Sequence, residues 1–208
     1  LIGIRTAAGA SRVSLPALLA RLAGGEPLEY TGLRPHQADP WHVFLVQIAA
    51  SVMARQPSPI ALPADPDFWR AGLLDLADGQ ASAWKLVVDE VTQPAFMQHP
   101  LASTDELAAF KPKAATPDEL DVLVTAKDHD IKSSRMDKAD PEAWLLAVLT
   151  CQTTSGYLGA GNFGSVRMNG GFGSRAVVSL VTDPAPAARF AEEVAVLRCL
   201  GASRREIV

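Results

Sequence analysis

The chain has 208 residues, of which 48% are hydrophobic and 20% charged, a composition typical of a globular protein that buries a core. Its net charge of −4, from 19 basic and 23 acidic residues, excludes a polycation that binds nucleic acid through bulk charge, so any such contact must be local. No apolar run approaches the roughly 18 to 20 residues of a membrane helix, and we therefore expect a soluble, cytoplasmic protein.

The N-terminal part predicts one short strand and a capped helix. Ile2 to Ile4 have the pattern of a strand, and residues 8–11 that of a turn. Ser14 is suited to cap a helix that continues through Leu22 and ends at Gly24-Gly25. These signals predict a strand, a turn and a helix in that order.

Two further helices are predicted where an aspartate precedes a proline. Asp39-Pro40 indicates a helix start, and Asp65-Pro66 indicates another after a proline-rich loop. The first of these helices places its apolar residues on one face: Trp41, Phe44, Leu45, Ile48, Ala49 and Val52. It is therefore predicted to be a core helix.

The C-terminal half mixes strand and helix signals. Residues 85–91 predict a short strand, and the capping box at 116–119 predicts one helical turn that leads into a strand. Asp140-Pro141-Glu142 starts a helix, and residues 176–181 have the pattern of a strand. We therefore expect an α+β fold, mainly helical with short β-strands and long ordered loops.

A glycine-rich, acid-free segment carries most of the functional information. Seven of the chain's 15 glycines lie between Gly156 and Gly173, and residues 143–182 contain no acidic side chain. Glycines allow backbone amides to approach a phosphate or a nucleic-acid groove closely. The composition alone is equally compatible with a long loop that binds nothing, since glycine supplies turn geometry wherever it occurs.

Residues 159–164 also match the dinucleotide-binding pattern G-x-G-x-x-G. A nucleotide-dependent oxidoreductase using Gly159, Gly161 and Gly164 is therefore the alternative function. That fingerprint must leave a strand and open a helix, whereas here a predicted helix precedes it. A helix over residues 143–154, with none after Gly164, would exclude the dinucleotide site.

A second polar stretch, residues 126–136, offers groups that phosphates accept hydrogen bonds from. Asp128 and Asp130 partly cancel its charge, so a solvated loop is the plainer interpretation. His129-Asp130 is a weak signal for a metal-dependent hydrolase, because no partner histidines lie at useful spacing. His36, His42 and His99 are assigned packing or surface roles, while Cys151 and Cys199 fit buried, reduced thiols.

A set of motifs in a fixed order resembles one protein family. The motifs are Leu33-Arg34-Pro35-His36-Gln37 before Trp41-His42, Phe96-Met97-Gln98, Lys127-Asp-His-Asp-Ile-Lys132, Gly159-Ala-Gly-Asn-Phe-Gly164 and Met168-Asn-Gly-Gly-Phe172. In this order they resemble CasA, the large subunit of the type I-E CRISPR Cascade surveillance complex. The chain departs from the family at Pro94-Ala95-Phe96, where a His-Pro-Phe type sequence is expected.

The resemblance implies a nucleic-acid-binding subunit that is not an enzyme and has no cofactor or metal. It would recognise the protospacer-adjacent motif in target double-stranded DNA, with guide CRISPR RNA, other Cascade subunits and a helicase-nuclease as partners. Its glycine loop would approach the minor groove of the motif, and its polar stretch would lie near the guide RNA. The nucleic-acid-binding residues that it implies are Lys127, His129, Lys132, Ser133, Ser134, Arg135, Gly159, Gly161, Asn162, Phe163, Gly164, Arg167 and Asn169.

Family members are longer, and carry a lysine finger, a strand-separating wedge and a C-terminal helical bundle that cannot be placed here. The chain begins at Leu1 rather than at a methionine. We therefore expect residues 1–208 to form a single N-terminal domain of an incomplete chain. A protein-only interaction module is the third class of function that the sequence leaves open.

Overall fold

The computed structural model describes residues 1–56, 61–98, 100–109, 114, 116–120, 140–154 and 185–199. They divide into two compact units. The first comprises residues 1–34 and 41–79 with the helix at 186–199, and the second comprises residues 35–40 and the described residues between 80 and 154. The predicted α+β class, mainly helical with short strands, is confirmed. The single domain over residues 1–208 stays a prediction.

A small antiparallel sheet opens the first unit. Strand β1 (Ile2–Thr6) lies between β2 (Gly9–Val13) and β3 (Glu29–Tyr30), and pairs with both. Ile2, Gly3 and Ile4 of β1 are all buried, so the first part of the strand is covered on both faces. The turn predicted over residues 8–11 is wrong, because Gly9 to Ser11 pair with Thr6 to Ile4. Only Ala7 and Ala8 form the hairpin turn.

Helix α1 (Leu15–Ala23) confirms the predicted capping. The Ser14 hydroxyl accepts a hydrogen bond from the Ala17 amide at 3.4 Å, and a proline occupies the first turn. After Gly24, Gly25 adopts φ +72, a left-handed conformation that glycine adopts without strain. The buried face of α1 consists of Leu18, Leu19, Ala20 and Leu22. Helix α1 packs against the helices at residues 66–76 and 186–199.

Helix α2 (Pro35–Ala54) begins four residues before the predicted start at Asp39. Pro35 occupies the first position, where the missing amide proton costs nothing, and Pro40 is retained inside the helix. Gln37 lies one turn before Trp41 on the same side of the helix and is also buried. The buried face of α2 therefore continues into the turn that precedes the predicted start. The apolar face is confirmed except at Ile48, which is partly exposed. Burial of this face therefore outweighs the local cost of placing Pro40 inside the helix.

Helix α3 (Pro66–Leu76) starts at the predicted Asp-Pro pair. The Asp65 carboxylate accepts from the Asp67 amide at 2.9 Å, and Pro66 occupies the first turn. The helix buries Trp69, whose Nε1 donates to the Pro63 carbonyl at 2.7 Å. Its Gly72 faces Val52 of α2 so closely that a Cβ atom at Gly72 would lie 2.3 Å from Val52 Cγ1. The absence of a side chain at Gly72 therefore sets the approach of the two helices.

In the second unit, residues 85–91 form a loop rather than the predicted strand. A 3-10 helix (Ala81–Trp84) precedes this loop, and a second one (Thr104–Ala109) follows it. The Lys85 carbonyl accepts from the Phe96 amide at 2.8 Å, and the Leu86 carbonyl from Gln98 Nε2 at 2.7 Å. The strand prediction is wrong because these backbone groups pair within the loop, and Val87 is 79% exposed instead of packed on a sheet.

Three more helices complete the described structure. The single turn α4 (Pro117–Leu120) and the longer α5 (Pro141–Thr154) confirm the starts predicted at the capping box and at Asp140. In the first unit, α6 (Pro186–Cys199) buries Ala187, Phe190 and Val194 along one face. The strands predicted at 121–125 and 176–181 lie outside the described residues. Among the helices that the structure describes, none is long and apolar enough to cross a membrane.

Candidate nucleic-acid interface

The residues predicted to bind nucleic acid lie in two segments, 121–139 and 155–184, that are outside the described residues. This applies to Lys127, His129, Lys132, Ser133, Ser134, Arg135, Gly159, Gly161, Asn162, Phe163, Gly164, Arg167 and Asn169. Their roles stay predictions. What the structure does establish is the framework to which both segments are attached.

Helix α5 joins the two segments. The first segment ends one residue before Asp140, and the second begins directly after Thr154. A helix of 14 residues rises about 20 Å, so the two attachment points are separated by roughly that distance. A site that used residues of both segments would therefore combine parts of the chain attached to opposite ends of α5.

The N-terminal end of α5 is fixed by its cap and by α4. Asp140 Oδ1 accepts from the Glu142 amide at 2.9 Å, which satisfies one of the free amides of the first turn. Helix α4 packs against α5, and each helix contributes a buried carboxylate that interacts within the protein, Asp118 and Glu142. The first segment therefore follows directly on a packed helical turn, which ends at Leu120.

The C-terminal end of α5 is tied to a distant turn. Gln152 Nε2 donates to the Met97 carbonyl at 2.9 Å, across 55 positions of sequence. Gln152 Oε1 is buried, and no described group donates to it. The neighbouring Thr153 instead donates to the Leu149 carbonyl of its own helix at 2.7 Å. Gln152 therefore links the last turn of α5 to another element by a side-chain hydrogen bond.

The turn that Gln152 contacts contains a strained residue. Met97 has φ +52, a left-handed conformation that costs a residue with a Cβ atom about 1 to 2 kcal/mol. Phe96 is 5% exposed, and its ring centroid lies 6.2 Å from that of Trp84. The Gln98 amide donates to the Ala95 carbonyl at 3.0 Å and closes the turn. These contacts hold the turn of residues 95–98, part of the motif set that resembles CasA.

Two residues of the first motif of that set, Trp41 and His42, are buried, whereas Pro35 is exposed and Arg34 and His36 are partly exposed. Trp41 is 1% exposed, and its ring stacks on Phe44 at a centroid distance of 5.6 Å and meets the Tyr30 ring edge-on at 6.1 Å. Burial raises the pKa of Tyr30 above its ordinary value near 10, with a smaller opposing effect from the Trp41 side chain. This cluster stabilises the fold around α2.

His42 takes part in a buried charged group that links α2 to α6. Its Nε2 lies 3.1 Å from Glu193 Oε2, and Arg189 Nε donates to Glu193 Oε1 at 3.2 Å. The side chains of His42 and Glu193 are only 9% and 18% exposed. The packing role assigned to His42 is thus consistent with its burial, but its acidic partner was not predicted. No sequence signal identifies it, because the two residues lie near opposite ends of the chain.

No metal-binding arrangement is found among the residues that the structure describes. Cys151 forms no disulfide among the described residues, and it is partly exposed rather than buried. His129-Asp130 and His99 lie outside the described residues. The helix expected before the G-x-G-x-x-G pattern is confirmed up to Thr154.

Comparison with known proteins identifies no relative of this chain. No protein-family model matches the chain, and neither a curated protein nor a solved structure matches it. The functional argument therefore depends on the residues themselves and on the framework that holds them.

Proposed function

We propose that this chain is the N-terminal part of a CasA-type large subunit of a type I-E CRISPR Cascade complex. In this role it binds guide RNA and target double-stranded DNA, recognises the protospacer-adjacent motif and helps to recruit the helicase-nuclease. It is a recognition subunit and not an enzyme. The order and spacing of the motifs from residue 33 to residue 172 carry the proposal.

The distribution of charge supports local rather than general binding of nucleic acid. The chain as a whole is acidic, yet residues 143–182 contain no acidic side chain and contain Arg167 and Arg175. Lys127, Lys132 and Arg135 add donors in the first segment, residues 121–139. Backbone-directed cations of this kind position a duplex through its phosphates without reading its sequence.

Glycines provide the element that would read the motif. A backbone without Cβ atoms at Gly159, Gly161 and Gly164 can enter a minor groove only about 6 Å wide. In the minor groove A·T and G·C pairs are distinguishable, but the full sequence code is not. The subunit should therefore accept several related motifs rather than one.

The framework around these segments suits a recognition role. Both are attached to α5, whose first turn is capped by Asp140 and whose last turn is tied to the turn at Met97. Loops carried by fixed helix ends are a common way to present binding residues. For the alternative, the dinucleotide fingerprint requires a strand before its first glycine, whereas the described chain reaches Thr154 as a helix.

The decisive experiment is assembly followed by DNA binding. The chain is coexpressed with guide RNA and the other Cascade subunits, purified through a tag on a different subunit, and tested on target duplexes with and without the motif. We expect copurification and motif-dependent binding. The isolated chain should bind DNA only weakly, and less so as salt rises, because few cations are available.

A glycine variant with a matched control tests the residue assignment. Gly161→Ala/Gly164→Ala should reduce motif discrimination about tenfold or more, since each Cβ atom costs on the order of 1 kcal/mol in strain or lost approach. Gly79→Ala is the control, because Gly79 has φ +80 and open space around it in the first unit. It should lower stability without affecting discrimination.

The outcomes separate the classes of function. Full discrimination by the double variant would show that the glycine segment is structural. Failure to copurify with guide RNA and subunits would refute the Cascade proposal, and retention of the chain on a nicotinamide-nucleotide resin would favour the oxidoreductase. Copurification without any DNA retardation at low salt would favour a protein-only interaction module.

A further inference from the structure

We propose that the open edge of strand β2 is a docking site for an extended acidic segment of a partner protein, which joins the sheet as a further strand and places a carboxylate near Arg5. The inference goes beyond the proposed function and does not depend on it. It concerns the small sheet of the first unit, which no motif of the sequence identifies as a site. The observations behind it are the direction of the Ala10 backbone groups and the position of Arg5 on the sheet.

The hydrogen-bond pattern of the sheet shows which backbone groups of β2 face its open edge. Successive residues of a strand direct their backbone groups to opposite sides. The Thr31 amide donates to the Gly3 carbonyl at 3.0 Å, so Gly3 and Arg5 direct their backbone groups toward β3. Their partners on β2, Arg12 and Ala10, therefore direct theirs away from β1. Among the described residues, no group bonds to the outward amide and carbonyl of Ala10.

This edge is accessible to another strand. Its first three residues, Gly9, Ala10 and Ser11, have small side chains and are exposed. β2 has neither a proline nor a bulge, two of the features by which proteins protect an edge strand. The opposite edge of the sheet offers much less, because β3 has only two residues. β2 is therefore the edge at which an extended segment can add main-chain hydrogen bonds.

The charge beside this edge defines the chemistry of the added strand. Arg5 pairs with Ala10, so the two side chains lie on the same face of the sheet, and Arg12 lies on that face as well. Arg5 is exposed, and its side chain forms no ion pair among the described residues, its β3 neighbour Glu29 included. A residue paired with Ala10 from outside would lie two strands from Arg5, about 10 Å away. The small Ala10 leaves the space between them open, so a carboxylate at that position meets the long arginine side chain.

A second copy of the chain fits this edge less well. Two β2 strands that pair antiparallel about a two-fold axis place their equivalent faces on the same side. Arg5 and Arg12 of both copies would then share one face, and like charges on neighbouring strands oppose pairing. Phosphates of a nucleic acid would interact with the arginines, but they would leave the Ala10 backbone without a strand partner. The edge and the face together therefore favour an acidic extended segment.

Peptide titration of the full chain at low salt, followed by nuclear magnetic resonance of the backbone amides, tests the site. The probe is the peptide acetyl-Thr-Val-Glu-Val-Thr-amide, and the matched control has lysine in place of glutamate. We expect the glutamate peptide to shift the amide signals of Ala10 and Arg12 and to slow the exchange of the Ala10 amide. The lysine peptide should bind about three- to tenfold more weakly, because it places a like charge beside the arginines.

Three variants separate the backbone contribution from the charge. Ala10→Pro removes the outward amide but none of the bonds between β1 and β2, and it should abolish binding of both peptides. Arg5→Glu should reverse the preference between the two peptides. Arg70→Glu makes the same change of net charge at a side chain of α3 that is 68% exposed, and it should leave the preference unchanged.

Each alternative has its own result. No change at Ala10 with either peptide at millimolar concentration would exclude strand addition. Equal affinity for the two peptides, or an Arg5→Glu variant without reversed preference, would exclude an acidic partner. Changes over residues 9–13 that grow with protein concentration alone would indicate a second copy, and changes with a DNA duplex but not with the peptides would indicate a nucleic-acid surface. Either would overturn the proposal. If Ala10→Pro does not fold, Arg5→Glu and the two peptides decide alone.

Discussion

Helices α2 and α3 pack so closely at Gly72 that an alanine side chain there should lower the free energy of unfolding. A Cβ atom there would lie 2.3 Å from Cγ1 and 3.1 Å from Cγ2 of Val52. Val52 is 1% exposed, and a β-branched side chain in a helix has essentially one available χ1 rotamer, so it cannot rotate away cheaply. Overpacking of this kind costs about 1 to 3 kcal/mol, whereas alanine gains about 1 kcal/mol over glycine in helix propensity. The net effect of Gly72→Ala should therefore be a destabilisation of up to about 2 kcal/mol.

A double-mutant cycle isolates the cause. Val52→Ala alone should cost about 2 kcal/mol through loss of two buried methyl groups. In the double variant Val52→Ala/Gly72→Ala the nearest remaining contact is at 3.3 Å, and the new methyl group partly fills the space. The double variant should then be more stable than the sum of the single effects by about 1 kcal/mol or more. Urea unfolding followed by circular dichroism measures all four free energies. A stabilising Gly72→Ala substitution, or additive effects, would refute this account of the packing.

Three further predictions follow from single contacts. Asp65→Ala should cost about 1 kcal/mol in urea unfolding because it removes the cap of α3, and a change no larger than that of the exposed control Asp89→Ala would contradict it. Since burial raises the pKa of Tyr30, folding favours its neutral phenol: this contribution is complete below about pH 10 and is lost as the pH rises above it. Absorbance titration of wild type against Tyr30→Phe should assign the later of the two phenols to Tyr30, and a Tyr30 that ionises near pH 10 in the folded protein would be inconsistent with burial. Glu193→Ala should cost about 1 to 3 kcal/mol by removing the carboxylate that accepts from Arg189 and lies 3.1 Å from His42, with Glu193→Gln less harmful, and equal stability of both variants to wild type would exclude a role for this carboxylate.

Local signals in the sequence predicted the helix starts well. The caps at Ser14, Asp65 and Asp140 are all present, because a cap depends on side chains and amides within three residues of each other. Pro40 misled the prediction of α2, since its local penalty is outweighed by burial of a face that already includes Gln37. The strand expected at residues 85–91 failed for a related reason. A strand needs a partner, and a run of seven residues does not reveal whether one exists.

The contacts that hold the candidate site were beyond prediction from the sequence. The bond from Gln152 to Met97 joins a helix to a turn 55 residues away, and the pair of His42 and Glu193 spans most of the chain. Neither depends on a local pattern, because each forms only after the elements have packed. Composition and motif order predicted which segments would carry the chemistry of nucleic-acid binding, and this stays a prediction. The geometry of their attachment to α5 required the structure.

That geometry bears on how the two segments could act on one duplex. Arg135 precedes Asp140 by five positions and Gly159 follows Thr154 by five, so each can extend at most about 17 Å from its end of α5. The ends are about 20 Å apart, which permits the two residues to meet but does not require it. At full extension the two residues could lie roughly 54 Å apart, so separate contacts by the two segments could fall as much as about one and a half turns of B-DNA apart, at about 34 Å a turn. Under the proposed function, the glycines would then read the groove while Lys127, Lys132 and Arg135 hold phosphates. These contributions should be separable: glycine substitutions would change the preference for the motif, whereas substitutions of the cations would weaken all duplexes alike and reduce the dependence of binding on salt.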